Sequence, residues 1–309
     1  MTVPTVSVVM PVYNAKAYIA KAVESILAQS FGHFELIIIN DGSTDGSQQI
    51  LEKYATQDPR IRLVTRENRG LVASLNEGID LARADLIARM DADDVAFPER
   101  FALQVSFMDA HPEIVACGTC YNIIDFKDRI LVACDREPQN DEEIQNTLLG
   151  GIPCLCHPTV MMRKTAVLAA GGYDPETMLA EDLDLWLRLG ESGKLANLPE
   201  VLLGYREHGG SVSEMGHLKQ IEVMKMVTER AWRRRSVIGQ FQNKPWRPTS
   251  REAQHHRTIK YGWRAYVRGD RRMAFDYGIT AIRELPMNRE GWFLTFCALF
   301  KPMKQTVPY

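Results

Sequence analysis

Apolar and polar positions follow a repeating pattern over the first hundred residues. Short apolar runs at residues 5–10, 34–40, 61–65 and 86–90 have the length and β-branched content of buried strands. Between them, residues 17–29, 47–55 and 72–82 carry apolar side chains at helical spacing. This alternation predicts a mainly parallel sheet with helices on both faces. Parallel strands place their carboxyl ends along one edge, where such sheets bind ligands. The polar punctuation falls on that edge. Pro11-Val12-Tyr13-Asn14 follows the first strand, Asn40-Asp41-Gly42-Ser43 the second and Asp91-Ala92-Asp93-Asp94 the fourth.

The pattern then becomes mixed. Residues 98–110 and 183–189 read as helices, and residues 114–121, 160–163, 195–198 and 201–205 as strands. From Lys219 the chain is helical and basic, with a Pro-bearing linker expected at 242–250. Residues 251–300 read as packed helices, with Gly262, Ala274, Ala281 and Pro286 at the spacing of one tetratricopeptide unit. A single unit is not an array, so one helical hairpin is expected. The apolar run from Trp292 to Phe300 is too short to cross a bilayer. It is either a helix docked on the body or a surface anchor on a membrane.

At 309 residues the chain can bury a substantial core. It has no apolar stretch of membrane-spanning length, and Met1-Thr2-Val3-Pro4 lacks the blocks of a signal peptide, so a cytoplasmic location is expected. Six cysteines without an export signal predict reduced thiols. Cys117, Cys120, Cys154 and Cys156 could be arranged as a zinc site. The apolar run before Cys117 favours small buried hydrophobes instead. The net charge of −2 hides an asymmetry. Residues 1–228 hold 20 basic and 33 acidic side chains, whereas residues 229–272 hold 13 and 3. The basic block is either a solvated helix face or a surface for an anionic partner.

Three carboxylates within four residues, at the end of an apolar strand, repel one another unless a cation sits among them. The bland reading is an acidic turn. A second acidic motif is refused. Asp41-Gly42-Ser43-Thr44-Asp45-Gly46 with Glu52 has the spacing of a calcium-binding EF-hand loop, but a strand precedes it and Gln48 stands where an apolar residue belongs. A strand end, a tight turn through Gly42 and a helix start near Asp45-Gly46 fit better.

Together these pieces resemble the inverting family 2 glycosyltransferases, which have the nucleotide-diphospho-sugar transferase fold called GT-A. The resemblance covers residues 5–210. It rests on the run from Val8 to Asn14, the run from Glu35 to Asp45, Asn68-Arg69-Gly70 with Leu75-Asn76, Asp91-Ala92-Asp93-Asp94, and Glu181-Asp182 before Trp186. It implies an α/β catalytic domain over residues 1–218, with a nucleotide-binding half to about residue 95, an acceptor half after it and a basic helical extension over 219–309. It implies that Pro11, Val12, Tyr13, Asn14, Asp41, Arg69, Asn76, Asp91 and Ala92 hold a nucleotide-diphosphate sugar, probing a uracil-like base through Asp41. Asp93, Asp91 and His208 would hold Mn²⁺ or Mg²⁺, with Asp94 either a further ligand or a cap of the next turn. Asp182 would be the catalytic base with Glu181 beside it. A helix start also favours acids, and both readings can hold. Arg206 would face phosphate, and His157-Pro158 would shape the backbone on the acceptor side.

The implied reaction is a metal-assisted single displacement onto a glycan or lipid-linked glycan hydroxyl, in surface polysaccharide or lipopolysaccharide synthesis. The implied partners are the donor, the acceptor and an anionic membrane met through residues 229–272; nucleic acid is not expected. The competing readings are a nucleotidyltransferase of similar fold and a non-catalytic binding module. The first needs a Gly-rich basic loop after the first strand, which this chain lacks. The second sits poorly with Asp91, Asp93 and Asp182 all in place.

Overall fold

The computed structural model describes residues 3–207, 217–242 and 251–301. The chain divides into two units, Met1–Asn243 and Lys244–Tyr309. His208 and most of the expected linker lie outside the described residues.

The first unit is built on a nine-stranded sheet. Strands β1 (Val6–Val12), β2 (Phe34–Asp41), β3 (Ile61–Arg66) and β4 (Leu86–Arg89) run parallel in the order β3-β2-β1-β4. Helices α1 (Ile19–Leu27), α2 (Ser47–Gln57) and α3 (Leu71–Leu81) make the crossovers. The strands are apolar on both faces because helices cover both sides. On one side Ile19, Val23 and Ile26 meet Val8, Met10 and Ile38; on the other Leu75 and Ile79 meet Val9 and Ile37. Helix α3 lies so close to β1 that a Cβ on Gly78 would sit 2.3 Å from the Val9 side chain.

Beyond β4 the sheet turns mixed. After β5 (Val95–Ala96) and α4 (Arg100–Ala110), strand β6 (Ile114–Ile124) pairs antiparallel with β7 (Ile130–Cys134). Helix α5 (Asp141–Leu149) leads to β8 (Met161–Arg163), which bridges β4 and β6, antiparallel to both. Helices α6 (Lys164–Ala169) and α7 (Glu181–Leu189) precede β9 (Lys194–Arg206). The two strands expected at 195–198 and 201–205 are this single strand. Pro199 and Glu200 read as a break, but they lie at a register shift against β6 and the ladder resumes after them. Strand β9 also pairs with β5, which fixes the chain just past Asp94.

Helix α8 (His217–Arg235) packs within the first unit. Three of its arginines are used there: Arg230 pairs with Asp174 and Glu176, and Arg234 with Glu191. Arg235 donates to the Leu187 carbonyl at 2.6 Å. Much of the front of the basic block is therefore matched to acids and carbonyls of its own unit.

The second unit holds three helices, α9 (Arg251–Val267), α10 (Arg271–Glu284) and α11 (Arg289–Phe300), where a single hairpin was expected. Its small residues permit the close approach. A Cβ on Gly262 would meet Leu294 at 2.3 Å and one on Gly278 would meet Thr295 at 2.2 Å. No helix among the described residues is long and apolar enough to cross a membrane.

Because Gly78 sits against β1, Gly78→Ala is expected to destabilise the first unit by about 1–3 kcal/mol through overpacking. A urea titration of the purified chain reads this as a lower midpoint at unchanged slope.

Candidate active site

The acidic segment leaves β4 directly after Arg89. Arg89 is 3% exposed, and its guanidinium pairs with the Asp91 carboxylate. The ligand oxygens of Asp91, Asp93 and Asp94 lie within 4.8 Å of one another. Asp94 is buried. One of its oxygens accepts the Arg206 backbone N–H at 2.7 Å, and the other is buried with no hydrogen-bond partner. Burial, and then the charges of Asp93 and Asp91, hold the Asp94 carboxyl well above the usual carboxylate range. Burial raises Asp91 as well, although Arg89 opposes the shift. Crowded oxygens with an unmet acceptor among them suit a hard divalent cation. Mg²⁺ and Mn²⁺ both fit this donor set.

Arg206 does not face phosphate. It is 2% exposed and holds the acidic segment from behind. Its guanidinium donates to the Asp93 carbonyl at 2.5 Å and the Asp125 carbonyl at 2.7 Å, pairs with Asp128 at 2.6 Å and stacks over the Tyr18 ring. Arg100 lies beneath, fully buried, donating to the Arg89 carbonyl at 2.8 Å. Burial and the nearby Arg89 charge push its pKa down to about 9.

Glu181 and Asp182 form the first turn of α7. The chain enters through Leu179, whose φ of 87° is left-handed, and the Glu181 carboxylate accepts the Leu179 N–H at 2.8 Å. Asp182 accepts the Leu183 N–H at 2.7 Å. Burial, then the Asp182 charge, pushes Glu181 up to about 7. Burial raises Asp182 too; Arg89 pulls it back and Asp91 pushes it further. The acidic segment and the α7 pair thus share one electrostatic field, with Arg89 inside it.

His157 and Tyr173 complete this side. The Tyr173 hydroxyl and His157 Nε2 are 2.7 Å apart. Burial and Arg89 hold His157 well below its usual pKa, so it is neutral. Asn76 was expected to touch the donor sugar. Its amide donates to the Tyr173 carbonyl at 2.8 Å and accepts the Tyr173 N–H at 2.9 Å. Both ends of the amide thus brace Tyr173.

On the donor edge, Pro11 and Val12 are buried members of β1, not loop residues. Pro11 lies past the last β1–β4 pair, so its missing N–H leaves no ladder bond open on that side. Tyr13 is exposed. Asn14, at a left-handed φ of 50°, accepts the Thr44 N–H at 2.8 Å and ties the first loop to the second. The Asp41 carboxylate is buried, pairs with Arg66 and accepts the N–H groups of Arg69 at 2.8 Å and Gly70 at 2.9 Å. The oxygen facing Gly70 keeps one acceptor site. The Arg69 side chain is exposed. Asp45 caps α2, accepting the Ser47 N–H and hydroxyl at 3.0 and 2.6 Å. This is the helix start expected in place of a calcium loop.

Asp91, Ala92, Asp93, Glu181 and Asp182 therefore gather around Arg89, with Tyr13, Asn14, Asp41 and Arg69 along the same sheet edge. Arg89, Arg100 and Tyr173 escaped the sequence reading, and His157, expected only to shape the backbone, is held against the Tyr173 hydroxyl. An arginine inside an apolar strand was the available signal for Arg89. Nothing in the sequence marked Tyr173. The cysteines sit mostly in the core: Cys117, Cys120, Cys154 and Cys297 are buried, and burial pushes the Cys117 thiol up to about 12.

Known proteins resemble this chain in sequence and in fold. EpsE of Bacillus subtilis is 38% identical over 212 residues, which span 66% of this chain and 73% of that one. The O-antigen biosynthesis glycosyltransferase WbnJ of Escherichia coli is 34% identical over 213 residues, 68% of this chain and 82% of its own. The fold is shared with S. aureus TarS 1–349 in complex with UDP-GlcNAc, at a TM-score of 0.60 and 18% identity, covering 95% of this chain and 79% of that one. It is shared equally with a mannosyltransferase from Pyrobaculum calidifontis in complex with GDP-Man and Mn²⁺, at a TM-score of 0.56 and 18% identity, covering 98% and 82%. These are GT-A folds. The family model named "Glycosyl transferase family 2" matches residues 7–169. With that match over more than half of its length, the chain belongs to glycosyl transferase family 2 and is a glycosyltransferase.

Proposed function

We propose that the enzyme moves a sugar from a nucleotide-diphosphate sugar, UDP-linked, to a hydroxyl of a glycan or lipid-linked glycan, with inversion, in cell-surface polysaccharide or lipopolysaccharide assembly. The observation that carries this reading is the shared field of Asp91, Asp93 and Asp94 with Asp182 around Arg89. Bound UDP-GlcNAc and GDP-Man in the proteins of like fold support the donor class, and WbnJ supports the setting.

Asp91 and Asp93 would hold the divalent ion, and Mn²⁺ in the mannosyltransferase complex supports that choice. When bound, the ion supplies positive charge against the developing charge of a diphosphate leaving group. The remaining work falls to the chain. Asp41 offers its free acceptor site to the imide N–H of a uracil-like base, and Tyr13 and Asn14 border the same edge. Arg69 reaches outward from the segment that Asp41 pins. Asp182 takes the proton of the acceptor hydroxyl as it attacks the anomeric carbon. Its raised proton affinity suits a base, and the helix start holds it rigidly. Attack opposite the leaving group inverts the anomeric centre. Glu181, with a pKa near 7, lies beside Asp182 toward the acceptor.

Asp182→Asn is expected to lower kcat by about 10²- to 10⁴-fold while donor binding, read by thermal shift with Mn²⁺ and UDP-sugar, persists. Full activity in that variant would remove Asp182 from the base role. Asp93→Ala is expected to abolish the metal-dependent part of the donor-induced shift.

Asp182 must be ionised to act, and burial raises its pKa. The acid limb of kcat/KM should therefore lie above the ordinary carboxylate value of about 4. A limb at or below that value would contradict the assignment.

Glu181 has a folded pKa of about 7 against 4.5 for the unconstrained group. The folded state therefore holds this proton more tightly than the unfolded state. Its contribution is fully present below pH 4.5 and is lost as pH rises through about 7. Glu181→Gln stays neutral throughout. Its melting temperature should match the parent near pH 4.5 and exceed it above pH 7, by up to about 3 kcal/mol in stability. A pH-independent difference would contradict the shift.

A further inference from the structure

Helix α11 is apolar on two opposite faces. Gly291, Leu294, Cys297 and Ala298 are buried within the second unit. On the other side, Trp292, Phe293, Phe296, Leu299 and Phe300 are 58%, 55%, 57%, 51% and 68% exposed. Their spacing, i, i+1, i+4, i+7 and i+8, places them in one arc of about 120°. The rings form a connected surface. Phe296 lies 5.3 Å from Phe300 and Phe293 5.7 Å from Trp263 of α9, ring centre to ring centre. Single exposed apolar residues need no explanation, but five on one arc mark a contact surface.

Exposed basic residues border the arc. Arg289 and Lys301, both exposed, stand at the two ends of the helix. Lys260 and Arg264, also exposed, stand at i and i+4 on α9 beside Trp263, and the exposed Arg268 follows directly after the helix. Aromatic side chains with a basic rim match the interface of an anionic bilayer, where rings enter the headgroup level and cations meet lipid phosphate. A second copy of the chain is a poorer occupant. A two-fold contact through this face would set each basic rim near its twin.

We infer that the aromatic face of α11, with the basic ridge of α9, docks the enzyme on an anionic lipid surface. This moves the lipid contact away from α8, where Arg230, Arg234 and Arg235 are paired within the first unit, and onto the three-helix unit. It is independent of the donor and base assignments, since no residue involved belongs to the catalytic site.

Flotation of the full chain with vesicles tests the inference. Phosphatidylcholine vesicles containing phosphatidylglycerol should bind the protein at least tenfold more than pure phosphatidylcholine at low salt, and high salt should weaken the binding. The double substitution Phe293→Ser with Phe296→Ser should lower binding at least tenfold and leave donor hydrolysis unchanged. Lys260→Glu with Arg264→Glu should remove the preference for anionic lipid. Tryptophan emission should shift to the blue on vesicle binding, by less in Trp292→Phe. Absence of binding to either vesicle, or binding indifferent to the aromatic substitutions, would overturn the inference. So would a concentration-dependent dimer in sedimentation that Phe293→Ser with Phe296→Ser abolishes, since a second copy would then own the face.

Discussion

A guanidinium buried at the end of a strand is the constraint on which this molecule depends. Arg89 is almost fully buried, and a buried charge is costly unless partners surround it. Asp91 supplies the direct ion pair, and the Asp182 carboxylate at the start of α7 feels the same charge. Those carboxylates would repel one another without it. Strand β4, the acidic segment and α7 are thus bound by mutual need. The sheet fixes where they meet, since β4 ends the β3-β2-β1-β4 parallel block and the antiparallel β8 pairs beside it.

The surrounding residues hold the centre in place. Arg206 grips the backbone carbonyl of Asp93 and the carboxylate of Asp94 through its own N–H, so the segment is held by main chain as well as side chain. Arg100 adds a second buried cation under Arg89. His157, neutral, occupies the Tyr173 hydroxyl, and Asn76 fixes the Tyr173 backbone. A displacement reaction asks for groups set in advance of the substrate, because reorganisation at the moment of reaction would raise the barrier. The buried, cross-braced surroundings of Arg89 meet that demand.

Much of the fold was legible because its signals are local. The apolar runs at β1, β2, β3 and β4 and the helical spacing of α1, α2 and α3 needed only neighbours in sequence. The placement of Asp91 and Asp93 at a strand end and of Asp182 at a helix start was legible because an apolar run precedes the first two and a helical apolar pattern follows the third. What was not legible depended on partners far along the chain. Arg206 looked like a phosphate ligand until Asp93, Asp125 and Asp128 surrounded it, residues it meets only through β9. Asn76 looked like a sugar contact because its partner, Tyr173, lies 97 residues away. Pro199 and Glu200 looked like a strand break because a register shift is written in the pairing, not in the residues. The three-helix packing behind Gly262 and Gly278 was likewise hidden, since a glycine does not announce which neighbour it admits.

Strand β9 carries a consequence for how such enzymes can diversify. It lies in the later half of the sequence, yet it pairs with β5 and ends in the arginine that anchors the acidic segment. The segments before and after residue 95 are therefore interleaved in space although they are consecutive in sequence. Recombination between relatives at a seam near residue 95 would bring together a β9 and an acidic segment that had not evolved against each other. Variation is better accommodated in the chain between β6 and α7, where loops can change while both ends of the brace descend from one parent.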